Sequence, residues 1–179
     1  IQAKAIVIEI DTPGGEVQAA SKISDAILKA SVPTISYVNK EALSAGVIIT
    51  ISSKSVAMAP GSTIGAAETR PKEEKYISAW SKKLQTVAEV NQRDKQLVAG
   101  MADADVVIEG LKEKGKILTL TASEAVELGL ADTVAKDINE VLAWKGLTSN
   151  EVVTFTPNLA ERIAFMATNP YTAPLLLTI

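Results

Sequence analysis

Hydrophobic positions along the chain fall into short blocks whose period switches between that of a strand and that of a helix. Ala5-Ile6-Val7-Ile8-Glu9-Ile10 is a nearly continuous apolar run, as in a buried parallel strand, and Pro13-Gly14-Gly15 ends it. Val17, Ala20, Ile23, Ile27 and Leu28 then recur at helical spacing, predicting a helix that stops near Ser31-Val32-Pro33. Thr34–Asn39 reads as a second strand and Ser55–Ala59 as a third, stopped by Pro60-Gly61. Between them Ser44–Ile51 reads as a buried helix with small residues at its start, although its β-branched run Val47-Ile48-Ile49-Thr50-Ile51 also fits a strand. Strand–helix–strand repetition at this pitch predicts an α/β fold of right-handed βαβ units on a parallel sheet.

Residues 66–76 are polar, with Glu68, Arg70, Lys72, Glu73, Glu74 and Lys75 crowded around Pro71, and they predict a loop on a flexible rim. A helix from about Glu74 to Asn91 carries Ile77, Trp80, Leu84, Val87 and Ala88 on one face. Thr121-Ala122-Ser123-Glu124 has capping-box spacing and Gly129 suits a C-terminal cap, giving a short helix over Thr121–Leu128. Ala131–Ala135 comes next as a strand, and Asp137 caps a helix that runs through Trp144 to Gly146. A last strand near Glu151–Phe155 and a helix over Asn158–Ala167 complete the expectation of one domain over residues 1–179. Both ends read as truncated. The closing run Pro174-Leu175-Leu176-Leu177-Thr178-Ile179 is either a buried terminal segment or the first turn of a removed membrane helix, since spanning a bilayer takes roughly 20 apolar residues.

Composition narrows the chemistry. Of 179 residues, 47% are hydrophobic, enough for a real core, and the net charge of −3 offers nucleic acid no basic surface. The chain has no histidine and no cysteine, which removes disulfides, thiol catalysis, the usual zinc sites and any Ser-His-Asp triad. No EF-hand spacing, G-x-G-x-x-G or Walker lysine is present, so neither a metal nor a cofactor is expected.

Two short segments can carry chemistry. Gly14 and Gly15 come after a strand and precede a helix, where an α/β fold places its ligand-facing turn. The Gly15 N–H can face a substrate carbonyl oxygen; a tight turn requiring positive φ is the plainer explanation of the same glycines. Ser44 precedes Ala45 and Gly46. It is either a nucleophile, with the Ala45 N–H as a second oxyanion donor, or simply the N-cap of a helix. Small residues at Ala42, Ala45, Gly46 and Gly14 permit close approach of a peptide backbone. Without histidine, the usual substitute base for a serine is a lysine. Asp11 is expected to serve the turn by bonding the backbone just after it.

Asp11-Thr12-Pro13-Gly14-Gly15, Leu43-Ser44-Ala45-Gly46 and Met58-Ala59-Pro60-Gly61-Ser62-Thr63-Ile64-Gly65-Ala66-Ala67 together resemble the Clp-protease class of serine peptidases. Within that class the chain most resembles the long NfeD proteins, membrane-anchored partners of stomatin-like proteins. The segment from Leu120 to Asp132 is similar to the closing segment shared by Clp, signal-peptide-peptidase and crotonase folds. The resemblance covers roughly residues 3–145. It implies a ClpP/crotonase-like spiral of ββα units, peptide-bond hydrolysis by a Ser–Lys dyad, and self-association as a dimer or larger homo-oligomer. The implied substrate is an apolar peptide segment, as in the hydrophobic tail of a stomatin-like membrane protein. A signal segment before residue 1 and membrane helices after Ile179 are implied too, with the domain extracytoplasmic.

The resemblance places the base at Lys75, with Lys72 the competitor if the loop is shifted. An exposed lysine, with an ordinary pKa of about 10.4, is protonated at neutral pH, so a catalytic one needs an apolar pocket. On an ideal helix Lys75 lies nearly opposite the Ile77–Trp80–Leu84 stripe, so it needs either a helix that begins after it or a covering partner. Two further readings stay open: a catalytically silent Clp-like scaffold for membrane-protein assembly, and a crotonase-type acyl-CoA enzyme on the same fold.

Overall fold

The computed structural model describes residues 3–149 and 151–155, and the chain divides into two units, Ile1–Gly146 and Leu147–Ile179. In the first, β2 (Thr34–Leu43) is the axis of a six-stranded sheet. β1 (Ile6–Thr12) runs parallel along one flank, from Ile6 opposite Thr34 to Thr12 opposite Ala42. Two strands share the other flank: β3 (Ser55–Met58) pairs with Ile35–Val38, and β4 (Thr63–Gly65) with Glu41–Leu43. β5 (Thr119–Thr121) lies antiparallel beyond β4, and β6 (Thr133–Val134) parallel beyond β3. The register of β1 against β2 shifts between Ile10 and Thr12, just before the Gly-Gly turn. Such irregularities bend a strand and re-aim the residues beyond the bend.

The helices α1 (Val17–Leu28), α2 (Gly46–Ile51), α3 (Glu74–Val90), α5 (Ala122–Glu127) and α6 (Ile138–Trp144) arise where the hydrophobic period places them. α4 (Lys95–Ala102), β4 and β5 are not anticipated by that pattern. In α2 burial outweighs the strand preference of the β-branched run: Val47, Ile48 and Ile51 have no exposed surface. The hydroxyl of Thr50 donates to the Gly46 carbonyl at 2.9 Å and that of Ser52 to Ile48 at 2.6 Å, so the helix consumes its own polar groups. α2 is thereby the centre of the core, in one cluster with Met58 and Ile64 of the sheet, Leu84 of α3 and Met101 of α4.

β1 departs from expectation. It is an edge strand, so Ile6 stays 41% exposed and only Ile10 is fully buried; among the described residues its outer edge pairs with nothing. The capping box of α5 forms as its spacing requires. The Glu124 carboxylate accepts from the Thr121 N–H at 2.8 Å, and that bond holds the carboxyl below its usual pKa. In the second unit, residues 151–155 are exposed and carry no strand, while the expected helix over 158–167 and the apolar run 174–179 lie outside the described residues. No described helix is long and apolar enough to cross a membrane.

Candidate active site

β2 ends at Leu43 and α2 begins at Gly46, which leaves Ser44 and Ala45 to make the corner between them. Ser44 sits at φ 53°, in the left-handed region that costs a residue with a side chain roughly 1–2 kcal/mol. Backbone bonds hold it there. Its N–H donates to the Gly65 carbonyl at 2.9 Å, and its own carbonyl accepts from the Val47 N–H at 3.1 Å. A serine at the apex of a strained strand-to-helix turn presents its hydroxyl away from the sheet. Ser44 is not the helix cap: Ala45 occupies the cap position with no side-chain bond, and among the described residues the Ser44 hydroxyl makes no hydrogen bond.

The glycine turn lies directly against this corner. Gly14 has φ 123°, and a Cβ placed on it would stand 2.6 Å from Ser44 Cβ and 3.1 Å from Ser44 Oγ. Gly46 is equally confined, since its Cβ would meet the Thr12 methyl at 2.7 Å. Thr12, to which the motif alone gives no role, joins the two: its hydroxyl accepts from the Gly14 N–H at 3.1 Å and donates to the Gly14 carbonyl at 3.2 Å. A hydroxyl two residues before a glycine is a recognisable local turn signal. Thr12 consumes the Gly14 N–H, whereas among the described residues the N–H groups of Gly15 and Ala45 make no hydrogen bond. Asp11 takes no part in the turn. It belongs to β1 and forms an exposed ion pair with Lys40 at 2.9 Å, because Thr12 already supplies the turn's side-chain bond.

Gly65 is a second residue whose role the motif does not disclose. Its carbonyl holds Ser44, and a Cβ on it would fall 2.4 Å from the Leu118 carbonyl oxygen, so only glycine lets β4 approach β5 this closely. Beyond it the Ala66 N–H donates to Leu118 at 3.0 Å, the Ala67 N–H to Met101 at 2.7 Å, and the Trp80 indole to the Ala67 carbonyl at 2.9 Å. Gly65 thus ties the Ser44 corner to β4, and the bonds of Ala66 and Ala67 pin the root of the polar loop separately, to Leu118, Met101 and Trp80.

The lysines stand apart from the Ser44 corner. α3 begins at Glu74, so Lys75 lies in its first turn rather than before it. Its amine pairs with Glu73 at 3.1 Å, 4.7 Å from the centre of the Tyr76 ring, and its side chain is 67% exposed. Lys72 pairs with Glu68, also exposed. Neither amine bonds the Ser44 hydroxyl. The structure thus gathers Gly14, Gly15, Ser44, Ala45 and Gly46 and leaves both candidate bases on the surface. Among the described residues no cluster of acidic side chains could hold a metal ion.

Residues 1–155 match the family model described as the N-terminal domain of NfeD1b. The membrane protein NfeD1b of Bacillus subtilis is 34% identical over 99% of the chain, and the membrane-bound protease PH1510 of Pyrococcus horikoshii is 31% identical over 99%. The chain spans 42% and 44% of the lengths of these relatives. A solved lysine-to-alanine variant of 1510-N, a membrane-bound stomatin-specific protease in complex with a substrate peptide, has a TM-score of 0.72 at 27% identity, covering 90% of this chain and 82% of its own. ClpP1 from Listeria monocytogenes, at 18% identity over 74% of each chain and a TM-score of 0.56, shares the fold. The expected Clp-like α/β architecture is therefore the one observed.

Proposed function

The chain belongs to the NfeD1b N-terminal domain family, and from that membership we propose that it is a serine endopeptidase with Ser44 as nucleophile. The observation that carries the reading is the Ser44 corner: a strained residue with an uncommitted hydroxyl, packed on a glycine turn whose Gly15 N–H is also uncommitted. Ser44 Oγ attacks a peptide carbonyl carbon, and Lys75, released from Glu73 and acting as the neutral amine that burial against the peptide favours, takes the hydroxyl proton as the O–C bond forms. The N–H groups of Gly15 and Ala45 hold the oxygen while it is negative, a contribution of roughly 3–4 kcal/mol for a well-placed donor. Lys75 returns the proton to the amine as the C–N bond breaks, and water then cleaves the acyl-serine ester by the same route. Lys75 reaches Ser44 only if segment 70–76 moves from its present position or a neighbouring copy supplies the amine. Lys72 is the alternate base.

The substrate is an apolar peptide segment, and a stomatin-like protein is supported by the naming of the related protease as stomatin-specific. The open edge of β1, leading into Gly14 and Gly15, is where an extended peptide can add main-chain bonds. Assembly as a homo-oligomer and an extracytoplasmic position on a membrane-anchored protein complete the proposal, the latter supported by two relatives named as membrane proteins. A second reading, a silent scaffold, is favoured by the solvent-facing ion pairs of both lysines.

Mass spectrometry after a fluorophosphonate probe decides between them. The expected result is a Ser44 adduct in the unmodified protein and in Lys72→Ala, and none in Lys75→Ala. An adduct lost only in Lys72→Ala moves the base to that residue. No adduct and no peptide hydrolysis, with peptide binding intact, makes the domain a scaffold.

A further inference from the structure

Between the head of α1 and the face of α3 lies a groove of about 360 Å³, walled by Val17, Pro71, Tyr76, Ala79 and Trp80. Val17 and Tyr76 are 40% and 45% exposed, so together they leave an apolar hollow open to solvent. Trp80 is buried, and its indole bond to Ala67 makes that wall rigid. Arg70 and Lys83 stand at the groove as well. Among the described residues neither is in an ion pair, whereas Lys72 and Lys75 on the same stretch of chain are each matched by a glutamate. The result is an apolar hollow with a positive rim, on a chain whose net charge is −3.

We infer that this groove is a specificity subsite: it takes a bulky apolar side chain of the substrate, and Arg70 and Lys83 meet an Asp or Glu next to that residue. The inference rests on the peptidase reading and deepens it. Position argues for a substrate side chain as the occupant. Val17 opens α1 just beyond Gly15, Pro71 adjoins Lys72 and Tyr76 adjoins Lys75, so the two segments that carry the proposed chemistry also form the groove. Val17 and Gln18, the groove's wall on α1, are the second and third residues after Gly15, within one peptide side chain of the turn. The volume is near the lower end of the roughly 300–1,000 Å³ typical of ligand sites, which suits a side chain better than a cofactor. Aromatic walls fit Leu, Met or Phe, and charge complementarity selects the acidic neighbour. A flat lipid surface would use the cations and leave the concave aromatic wall unfilled.

Three fluorescent peptides identical except for Glu, Gln or Lys beside one leucine test this. Binding is measured on Ser44→Ala by anisotropy, and hydrolysis on the unmodified protein. The Glu peptide is expected to bind at least tenfold tighter than the Lys peptide. Arg70→Glu with Lys83→Glu, or Arg70→Glu alone if the pair fails to fold, is expected to reverse that order. Tyr76→Ala is expected to weaken all three peptides alike. Equal binding of the three peptides, with hydrolysis intact, overturns the subsite and spares the peptidase. The expected binding order without any hydrolysis or Ser44 labelling sinks the peptidase reading and spares the peptide groove. Displacement of all three peptides equally by phosphatidylserine vesicles would assign the rim to lipid and overturn the inference.

Discussion

Around Ser44, bonds to Gly65 and from Val47 and the contact with Gly14 fix a left-handed residue between a strand and a helix. Around Lys75, among the described residues, one exposed ion pair with Glu73 and the ring of Tyr76 are all that locates the amine. The first arrangement keeps strain of roughly 1–2 kcal/mol because every neighbour over-determines it. The second is held by an exposed pair worth only about 0.2–1 kcal/mol, which a binding peptide easily outweighs. On the proposed reading, a fixed nucleophile and a base recruited from the surface would leave the peptidase idle until substrate orders the loop. The largest test of this contrast removes the fixed half. Ser44→Ala is expected to lower hydrolysis by about 10⁴-fold or more. Ser44→Gly should lose activity equally while raising Tm by a few degrees, because glycine occupies the left-handed region without cost. A lower Tm for Ser44→Gly would show that the hydroxyl is structural and that the corner stores no strain.

Removing the movable half should split activity from stability. Lys75→Ala is expected to reduce kcat/KM by about 10²–10⁴-fold, the usual worth of a general base. Lys72→Ala should stay within about threefold, and both variants within roughly 0.5 kcal/mol of the parent in denaturant titration, since each loses only a surface ion pair. Equal losses of kcat/KM in the two would mean that neither amine is the base and that the loop acts as a whole.

Glycines on the fixed side give the converse split. Gly65→Ala places a methyl 2.4 Å from one backbone atom and 2.6 Å from another, neither of which can rotate away. Together with its φ of 145°, this is expected to cost about 3 kcal/mol or more, a Tm fall of roughly 6–12 °C. Gly14→Ala should show a similar loss through its clash with Ser44. Gly15→Ala, whose new methyl meets nothing within 4 Å, should hold its Tm. A Gly65→Ala protein as stable as the parent would mean that β4 and β5 yield, and that the block holding Ser44 is soft.

The sequence displayed this contrast unevenly. The α/β class, the glycine turn and helices α1, α3, α5 and α6 were legible because each is encoded by a local period or cap, as in Thr121 and Glu124. β4 and β5 were not, since three residues each carry no period and exist only by pairing with each other and with β2. The edge position of β1 is likewise a property of the sheet and not of its residues. Ser44 could be singled out, but its corner geometry could not, because a cap and an elbow share the same local sequence and differ in φ and in the distant Gly65 carbonyl. The choice of lysine is illegible for a related reason: a base is made by where the amine ends up, and nothing within residues 66–76 states that.

The smallest expected effect probes the joint between the two regions. Trp80 belongs to the movable side by sequence, on the helix just after the loop, yet its indole N–H ties the fixed Ala67 carbonyl. Trp80→Phe keeps most of the packing and leaves that carbonyl without its side-chain donor in a residue only 1% exposed, at a cost of about 1–2 kcal/mol. Since the Ala67 carbonyl anchors the root of the loop and not Ser44 itself, the kinetic consequence should fall on KM, with kcat changed by less than about twofold. Peptide-hydrolysis kinetics alongside urea titration would check both. A fall in kcat with KM unchanged would place Trp80 on the chemical side of the divide and show that the loop root and the Ser44 corner move as one.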